Sequence, residues 1–411
     1  GIGYDNDGTT YSTGNKSMDF DGEAKAVINS KSFVINALVD KATDIANPSR
    51  SNKYYAIMVE EGSSIFVGEN TTTDIVVDNG VGNAYGVYAN NRYGGGTIDI
   101  LGDVAIKVYG AESNEYNKWA AYAGNGSKIN IGSTGKKVIL VGDIVVNNDK
   151  KNEFGLGNPG EINIAGNSVF DGTKTQFIAT DGGIINLAGG NMSGVLNIAK
   201  DSKVNLTGAT FTANDLANSI VGGGKLVLTD SGVLSTTANQ IFTKADTVGT
   251  DFVDNAITDI ANEKVDFVSG TVSLTDKEYN FDFVQSAVDT MQKHNSSKTS
   301  VVMTGTLVGG VEDNNITVDE AAGLGNNVAL DKVTAEADGN LLVGSTKAEG
   351  DTVENINIQD SVANGFNVGS LELAEGSIGV VITNAQEVTL GGSEGGSVIT
   401  VEKDAEAKVN V

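Results

Sequence analysis

Short triplets of the form apolar-x-apolar recur along this chain, most with a glycine close by. The clearest are Ile65-Phe66-Val67, Ile98-Asp99-Ile100, Ile129-Asn130-Ile131, Ile162-Asn163-Ile164, Ile185-Asn186-Leu187, Val204-Asn205-Leu206, Leu226-Val227-Leu228, Leu371-Glu372-Leu373 and Val388-Thr389-Leu390. Strand side chains alternate between two faces, and a strand this short cannot shield an apolar face alone. Stacked coil on coil, the same triplets bury a continuous core. The pattern predicts an all-β chain folded as a right-handed parallel β-helix (β-solenoid), right-handed because parallel crossovers take that hand by default. Asparagine in the middle of several triplets is expected to point outward, since its neighbours point inward.

Composition agrees with an ordered ladder. Glycine is abundant at 53 residues and proline scarce at 2. Proline cannot donate to a ladder, so its scarcity fits a chain whose residues mostly pair. The net charge of −26 repels nucleic acid and anionic head groups. Arg50 and Arg92 are the only arginines, too few for a phosphate-binding cluster. Cysteine is absent, which suits export of an unfolded chain through a narrow channel. No run of about 18 apolar residues could span a membrane as a helix. The start on Gly1 and the strand-like Val409-Asn410-Val411 suggest a mature fragment, with any membrane anchor beyond its end.

Three regions are expected. Residues 1–250 form an N-terminal β-helix whose early coils are wider. From 54 to about 145 the triplets lie roughly 31 to 33 residues apart. A second strand follows each after about ten residues, as in Ile75-Val76-Val77, Ile106-Lys107-Val108 and Val138-Ile139-Leu140, so one coil has three strands. From 160 to 250 the spacing falls to roughly 19 to 23. Residues 251–300 form a short helical or irregular insertion around 250–295, with Phe252, Val253, Ala256, Ile257, Ile260 and Ala261, and later Phe283, Ala287, Val288 and Met291, at helical spacing. Residues 301–411 continue the β-helix.

The unit Ala-Tyr-Gly-Val-Tyr-Ala…Gly-Gly-Gly-Thr-Ile-Asp-Ile-Leu-Gly at 84–102, the Gly-Ser-Lys-Ile-Asn-Ile-Gly unit at 126–132 and the stretch Ile-Thr-Asn-Ala-Gln-Glu-Val-Thr-Leu-Gly-Gly-Ser at 382–393 resemble the passenger of a type V secreted (autotransporter) protein from a diderm bacterium. The resemblance implies a β-helical adhesin at the cell surface, outer-membrane anchored or released, that meets a host glycan or protein. It also implies a C-terminal membrane barrel, expected to lie beyond the end of this sequence. A self-associating rod that aggregates cells or builds biofilm is the alternative, followed by a β-helix polysaccharide lyase or hydrolase.

Neither catalytic residues, nor a metal, nor a cofactor is expected. His294 is the only histidine and lies in the polar segment Gln292–Ser297, read as a helix end and loop. A serine triad needs a histidine base, and the Gly-Asp-Ser-Gly nucleophile of the protease passengers is missing. Asp5-Asn6-Asp7-Gly8 and Asp19-Phe20-Asp21-Gly22 read as ordinary Asx turns rather than calcium loops.

Aromatic residues are unevenly placed. Tyr54, Tyr55, Tyr85, Tyr88, Tyr93, Tyr109, Tyr116, Trp119 and Tyr122 crowd into residues 54–122. Stacked coils must lay some of them in a ladder, either filling the wide coils or lining an outer flank. As a flank, Tyr54, Tyr85, Tyr88, Tyr93, Tyr109, Tyr116, Trp119 and Tyr122 are the candidate ligand contacts, because each side chain has an apolar body and a polar tip. Simple alternation places Tyr85 with Val87 on one face and Gly86 with Tyr88 on the other.

Overall fold

The fold is that of a computed structural model. It describes residues 24–39, 53–148, 158–243 and 257–279 apart from short gaps, then positions 287, 290 and 294. From 299 to 401 it describes strand backbone. The chain divides into two compact units, one of residues 1–212 with 217–227, the other of 213–216 with 228–411.

The first unit is a three-sheeted parallel β-helix. Its first sheet stacks Lys25–Ile28, Ser64–Val67, Thr97–Ile100, Lys128–Ile131, Glu161–Ile164, Ile184–Leu187 and Lys203–Leu206. The second stacks Ser32–Val39, Thr72–Asn79, Val104–Gly110, Lys137–Val141, Asn167–Phe170, Asn191–Ser193 and Thr210–Thr212. The third stacks Lys53–Val59, Asn83–Ala89, Lys118–Gly124, Asp143–Asn147, Phe177–Ala179, Leu196–Ile198 and Ile220–Val221. The chain visits the sheets in this order, one strand each per coil, so every strand pairs with its counterpart about one coil away in sequence. The expected three strands per coil and the shortening of the coils are both present. Outward partners in successive coils of the first sheet lie 31, 33, 23 and 19 residues apart.

The triplets set the register. In the first sheet Ile65, Ile98, Ile129, Ile162, Ile185 and Val204 form one inward column. Val67, Ile100, Ile131, Ile164, Leu187 and Leu206 form another, and every one of these six is wholly inaccessible to solvent. Burying each such side chain contributes about 1.5–3 kcal/mol before the entropy of ordering is subtracted. Between the columns Asn130, Asn163, Asn186 and Asn205 point outward and are half-buried, as expected.

The second unit is also parallel. Val233–Thr236, Gly270–Leu274, Thr299–Gly309, Ala329–Ala335, Phe366–Leu373 and Val388–Leu390 follow one another in one sheet. Asn315–Val318, Leu342–Ser345, Ile356–Gln359 and Val380–Thr383 form a second. The expected helical insertion is described in part. Its helix covers Asp259–Lys264, where Thr258 Oγ1 accepts from the Ala261 N–H at 3.1 Å. That cap fixes the start of the helix, so Ile257, expected to be helical, instead bridges Phe242 in an extended conformation. Ala287, Thr290 and His294 are helical. Phe252, Val253, Ala256, Phe283, Val288 and Met291 lie outside the described residues.

Candidate functional site

The third sheet carries the aromatic residues. Tyr55, Tyr85 and Trp119 share one column, and Met58, Tyr88 and Tyr122 share another. Tyr55 stacks on Tyr85 with ring centroids 4.7 Å apart. Tyr122 lies against two near-parallel rings, Tyr88 at 4.6 Å and Trp119 at 4.7 Å. Tyr85 joins the two sets, tilted against Trp119 at 5.1 Å and Tyr88 at 5.5 Å.

These rings line the outside of the coil. Its interior beneath them is built from Ala84, Val87, Ala89, Ala120, Ala121 and Ala123, none of which reaches solvent. The expectation that Tyr85 and Tyr88 point to opposite faces is therefore corrected: both point outward, and Gly86 and Val87 both point inward. A Cβ on Gly86 would meet Ile106 Cγ2 at 2.5 Å and Val108 Cγ2 at 3.3 Å, two inward side chains of the second sheet. The cause is a β-bulge, an extra residue that breaks the period of two. Its signature is the register between Asp143–Asn147 and Lys118–Gly124, where Asp143 pairs with Trp119 but Ile144 pairs with Ala121, passing over Ala120. Gly86 and Ala120 are the extra residues, and both are small because the interior has no room for more.

Asparagines hold the phenol hydroxyls. Asn90 Nδ2 donates to Tyr88 Oη at 3.1 Å, and Asn125 Nδ2 donates to Asn90 Oδ1 at 3.1 Å. Asn117 Nδ2 donates to Tyr85 Oη at 3.4 Å. Tyr85 and Tyr122 are 3% and 7% exposed, whereas Tyr55, Tyr88 and Trp119 are half-buried. Burial pushes the Tyr55, Tyr85 and Tyr88 phenols above their ordinary range. The hydrogen bonds from Asn117 to Tyr85 and from Asn90 to Tyr88 offset this in part. Below the column, burial likewise raises the Asp143 carboxyl, against the Gln176 N–H it accepts at 3.0 Å and the charge of Lys118.

These shifts have a direct consequence for alkaline stability. Unfolded tyrosines ionise near pH 10. Below that pH the phenols are neutral in both states and their burial takes nothing from the stability of the fold. Above it the unfolded chain ionises first, so stability falls as pH rises. Tyrosinate absorbance of the native protein is expected to show at least three of the 11 tyrosines titrating late and together with unfolding. Full titration near pH 10 with native circular dichroism would contradict this.

Of the candidate contacts, Tyr85, Tyr88, Trp119 and Tyr122 come together. Tyr54 is in register with Ala84, one position off the stacked column. Tyr109 lies on the second sheet opposite Asp78 and is 38% exposed. Tyr116 is half-buried in the turn before Lys118, and Tyr93 lies outside the described residues. Tyr55 was missing from the candidates, although Tyr55-Ala56-Ile57-Met58-Val59, Tyr85-Gly86-Val87-Tyr88-Ala89 and Trp119-Ala120-Ala121-Tyr122-Ala123 align as one pentad that would have included it.

His294 is exposed at a helical position, its ring edge-on to Phe267 at 5.6 Å. Among the described residues no group of three or more His, Cys, Asp or Glu side chains could hold a metal ion. No helix among them is long and apolar enough to cross a membrane. Asp5–Gly8, Asp19–Gly22, Arg50 and Arg92 lie outside the described residues. The chain matches no family model, and no curated protein and no solved structure matches it.

Proposed function

We propose that this chain is a surface-displayed adhesive protein, the β-helical passenger of a type V secretion system of a diderm bacterium, and that the aromatic flank of its third sheet contacts a host protein. One observation carries the reading. Beneath the rings the inward face of the third sheet is built from alanine, valine and Ile57, while five aromatic rings are placed outside it. Packing alone favours the reverse, since bulky rings stabilise a β-helix most when inside. The rings spend their faces on one another, and Tyr55, Tyr88 and Trp119 remain partly open to solvent. That chemistry fits a protein surface, where Tyr and Trp anchor hot spots, better than sugar stacking, which needs open faces.

The test displays the wild type and Trp119→Ala on cells and measures attachment to immobilised matrix proteins, native and deglycosylated. Trp119→Ala is expected to weaken attachment at least tenfold, the loss of one hot-spot residue, while the rod stays folded and melts cooperatively, lowered only by the loss of the ring contacts to Tyr85 and Tyr122. Equal loss of folding and attachment would assign the rings to structure. Attachment that vanishes on deglycosylation would redirect the reading to glycan, and clumping of cells without attachment would redirect it to self-association.

A further inference from the structure

The outer face of the first sheet holds a second, chemically different array. Asp99, Asn130, Asn163, Asn186 and Asn205 occupy one column in five successive coils. Asn130 Nδ2 donates to Asp99 Oδ1. Asn163 Nδ2 donates to Asn130 Oδ1 at 2.7 Å, Asn186 Nδ2 to Asn163 Oδ1 at 2.6 Å and Asn205 Nδ2 to Asn186 Oδ1 at 2.6 Å. Every amide points its N–H the same way, and a carboxylate, which only accepts, terminates the series.

The ladder uses half of what these groups offer. A primary amide has two N–H donors and an oxygen with two lone pairs. Asn163 gives its second N–H to Glu161 Oε1 at 2.8 Å, and Lys128 Nζ holds the same oxygen at 3.0 Å. Burial opposes the charge on Glu161, but these bonds from Asn163 and Lys128 outweigh it and hold the carboxyl below its usual range. Asn130, Asn186 and Asn205 each have a second N–H, and the inner amides a second lone pair, on the solvent side of the column. All four asparagines are half-buried, so their amide edges reach the surface.

Two further features favour a ligand. Asparagine is depleted in strands, and the same column carries the better strand formers Val27 and Phe66 in the first two coils, so sheet stability alone does not call for four asparagines in a row. Phe66, 36% exposed, stands directly next to Asp99 in register, which ends the polar column on an open aromatic ring. The ladder has also already fixed the rotamers, so a ligand need not order them.

We propose that this column is a binding strip for an uncharged, extended, linear polysaccharide, a β-1,4-linked glucan or N-acetylglucosamine polymer. Rungs repeat at about 4.8 Å, close to one sugar per rung for such a chain. A hydroxyl both donates and accepts, which matches the spare donor and acceptor of Asn130, Asn186 and Asn205, while Asn163, whose second N–H is held by Glu161, offers an acceptor only. Phe66 supplies a stacking surface for the terminal sugar. The net charge of −26 disfavours a polyanion and equally disfavours a second copy of the chain on this face. This strip does not depend on the aromatic flank.

The test uses the whole chain with insoluble cellulose and chitin, soluble cellohexaose and chitohexaose, and the helical glucan curdlan as a shape control. Wild-type protein is expected to be retained on cellulose or chitin and not on curdlan. The double variant Asn163→Val/Asn186→Val, which uses the residue type the column already carries at Val27, should lose at least tenfold in retention, while Trp119→Ala keeps it. Should the double variant fail to fold, side-chain amide resonances of Asn130, Asn186 and Asn205 in the wild type should shift on adding cellohexaose or chitohexaose. Absence of retention and of shifts, equal retention by the double variant, or a concentration-dependent dimer that the double variant abolishes would each overturn the proposal.

Discussion

Gly102→Ala is expected to cost about 3 kcal/mol, near the upper end of overpacking penalties. A Cβ built on Gly102 falls 2.0 Å from the Thr71 carbonyl oxygen and 3.1 Å from that of Glu69. Both neighbours are backbone in the adjacent coil, so no side chain can swing away. Relief requires the coils to part, and the coil contact around Gly102 includes the Leu101 N–H donated to Val67 O at 3.0 Å and the Thr73 N–H donated to Asp103 O at 2.8 Å. Gly135 is the control. It adopts φ +80° with nothing within 4 Å of a Cβ, so Gly135→Ala should cost only the left-handed penalty, roughly 1–2 kcal/mol. Urea midpoints followed by circular dichroism compare the two. A Gly102→Ala midpoint no lower than that of Gly135→Ala would mean that turn conformation, and not the distance between coils, demands glycine here.

The same contrast explains what could be read in advance. Triplets such as Ile129-Asn130-Ile131 declare their inward and outward sides because a period of two has a single reading. Gly102 hints at a turn, but its contact with Thr71 joins residues 31 apart in sequence (102 − 71 = 31) and appears only once the coils are stacked. The outward asparagines were legible, whereas their hydrogen-bonded continuity was not, since it depends on neighbouring coils being in perfect register. The aromatic crowding was visible as a cluster. Its side of the sheet was not, because one extra residue, Gly86 or Ala120, reverses the parity of everything after it, and a glycine or alanine in a strand carries no mark that it is extra. In the insertion, Ile257 has helical spacing with Ile260 and Ala261, but the Thr258 cap decided where the helix begins.

Deleting Asn130 is expected to unfold the first unit or to cost more than about 4 kcal/mol, and deleting Ala120 is expected to leave it folded. Removing Asn130 brings Ile129 and Ile131 together, and one of them must leave its inward column, although both are fully buried in the intact chain. Expelling one such side chain costs about 2–5 kcal/mol. The slip also inverts facing for the residues up to the next turn and breaks the amide ladder at Asp99 and Asn163. Removing Ala120 leaves Trp119-Ala121-Tyr122-Ala123, which has the alternation already present in the next coil, where Asp143, Ile144, Val145 and Val146 pair with those four residues. Trp119 and Tyr122 stay outside, but their spacing falls from three residues to two and their parallel stack at 4.7 Å is lost. Near-ultraviolet circular dichroism should therefore change while the melting transition stays cooperative. If the two deletions destabilise equally, the extra residue is a structural requirement of the early coils. If the Ala120 deletion alone unfolds the protein, the aromatic stack rather than the inward columns holds these coils together. The expected asymmetry follows from where length is measured: coils of 33 and of 19 residues share the same strands, so the chain tolerates a changed count between triplets and at a bulge, and not within a triplet, where a single residue decides which side chains meet water.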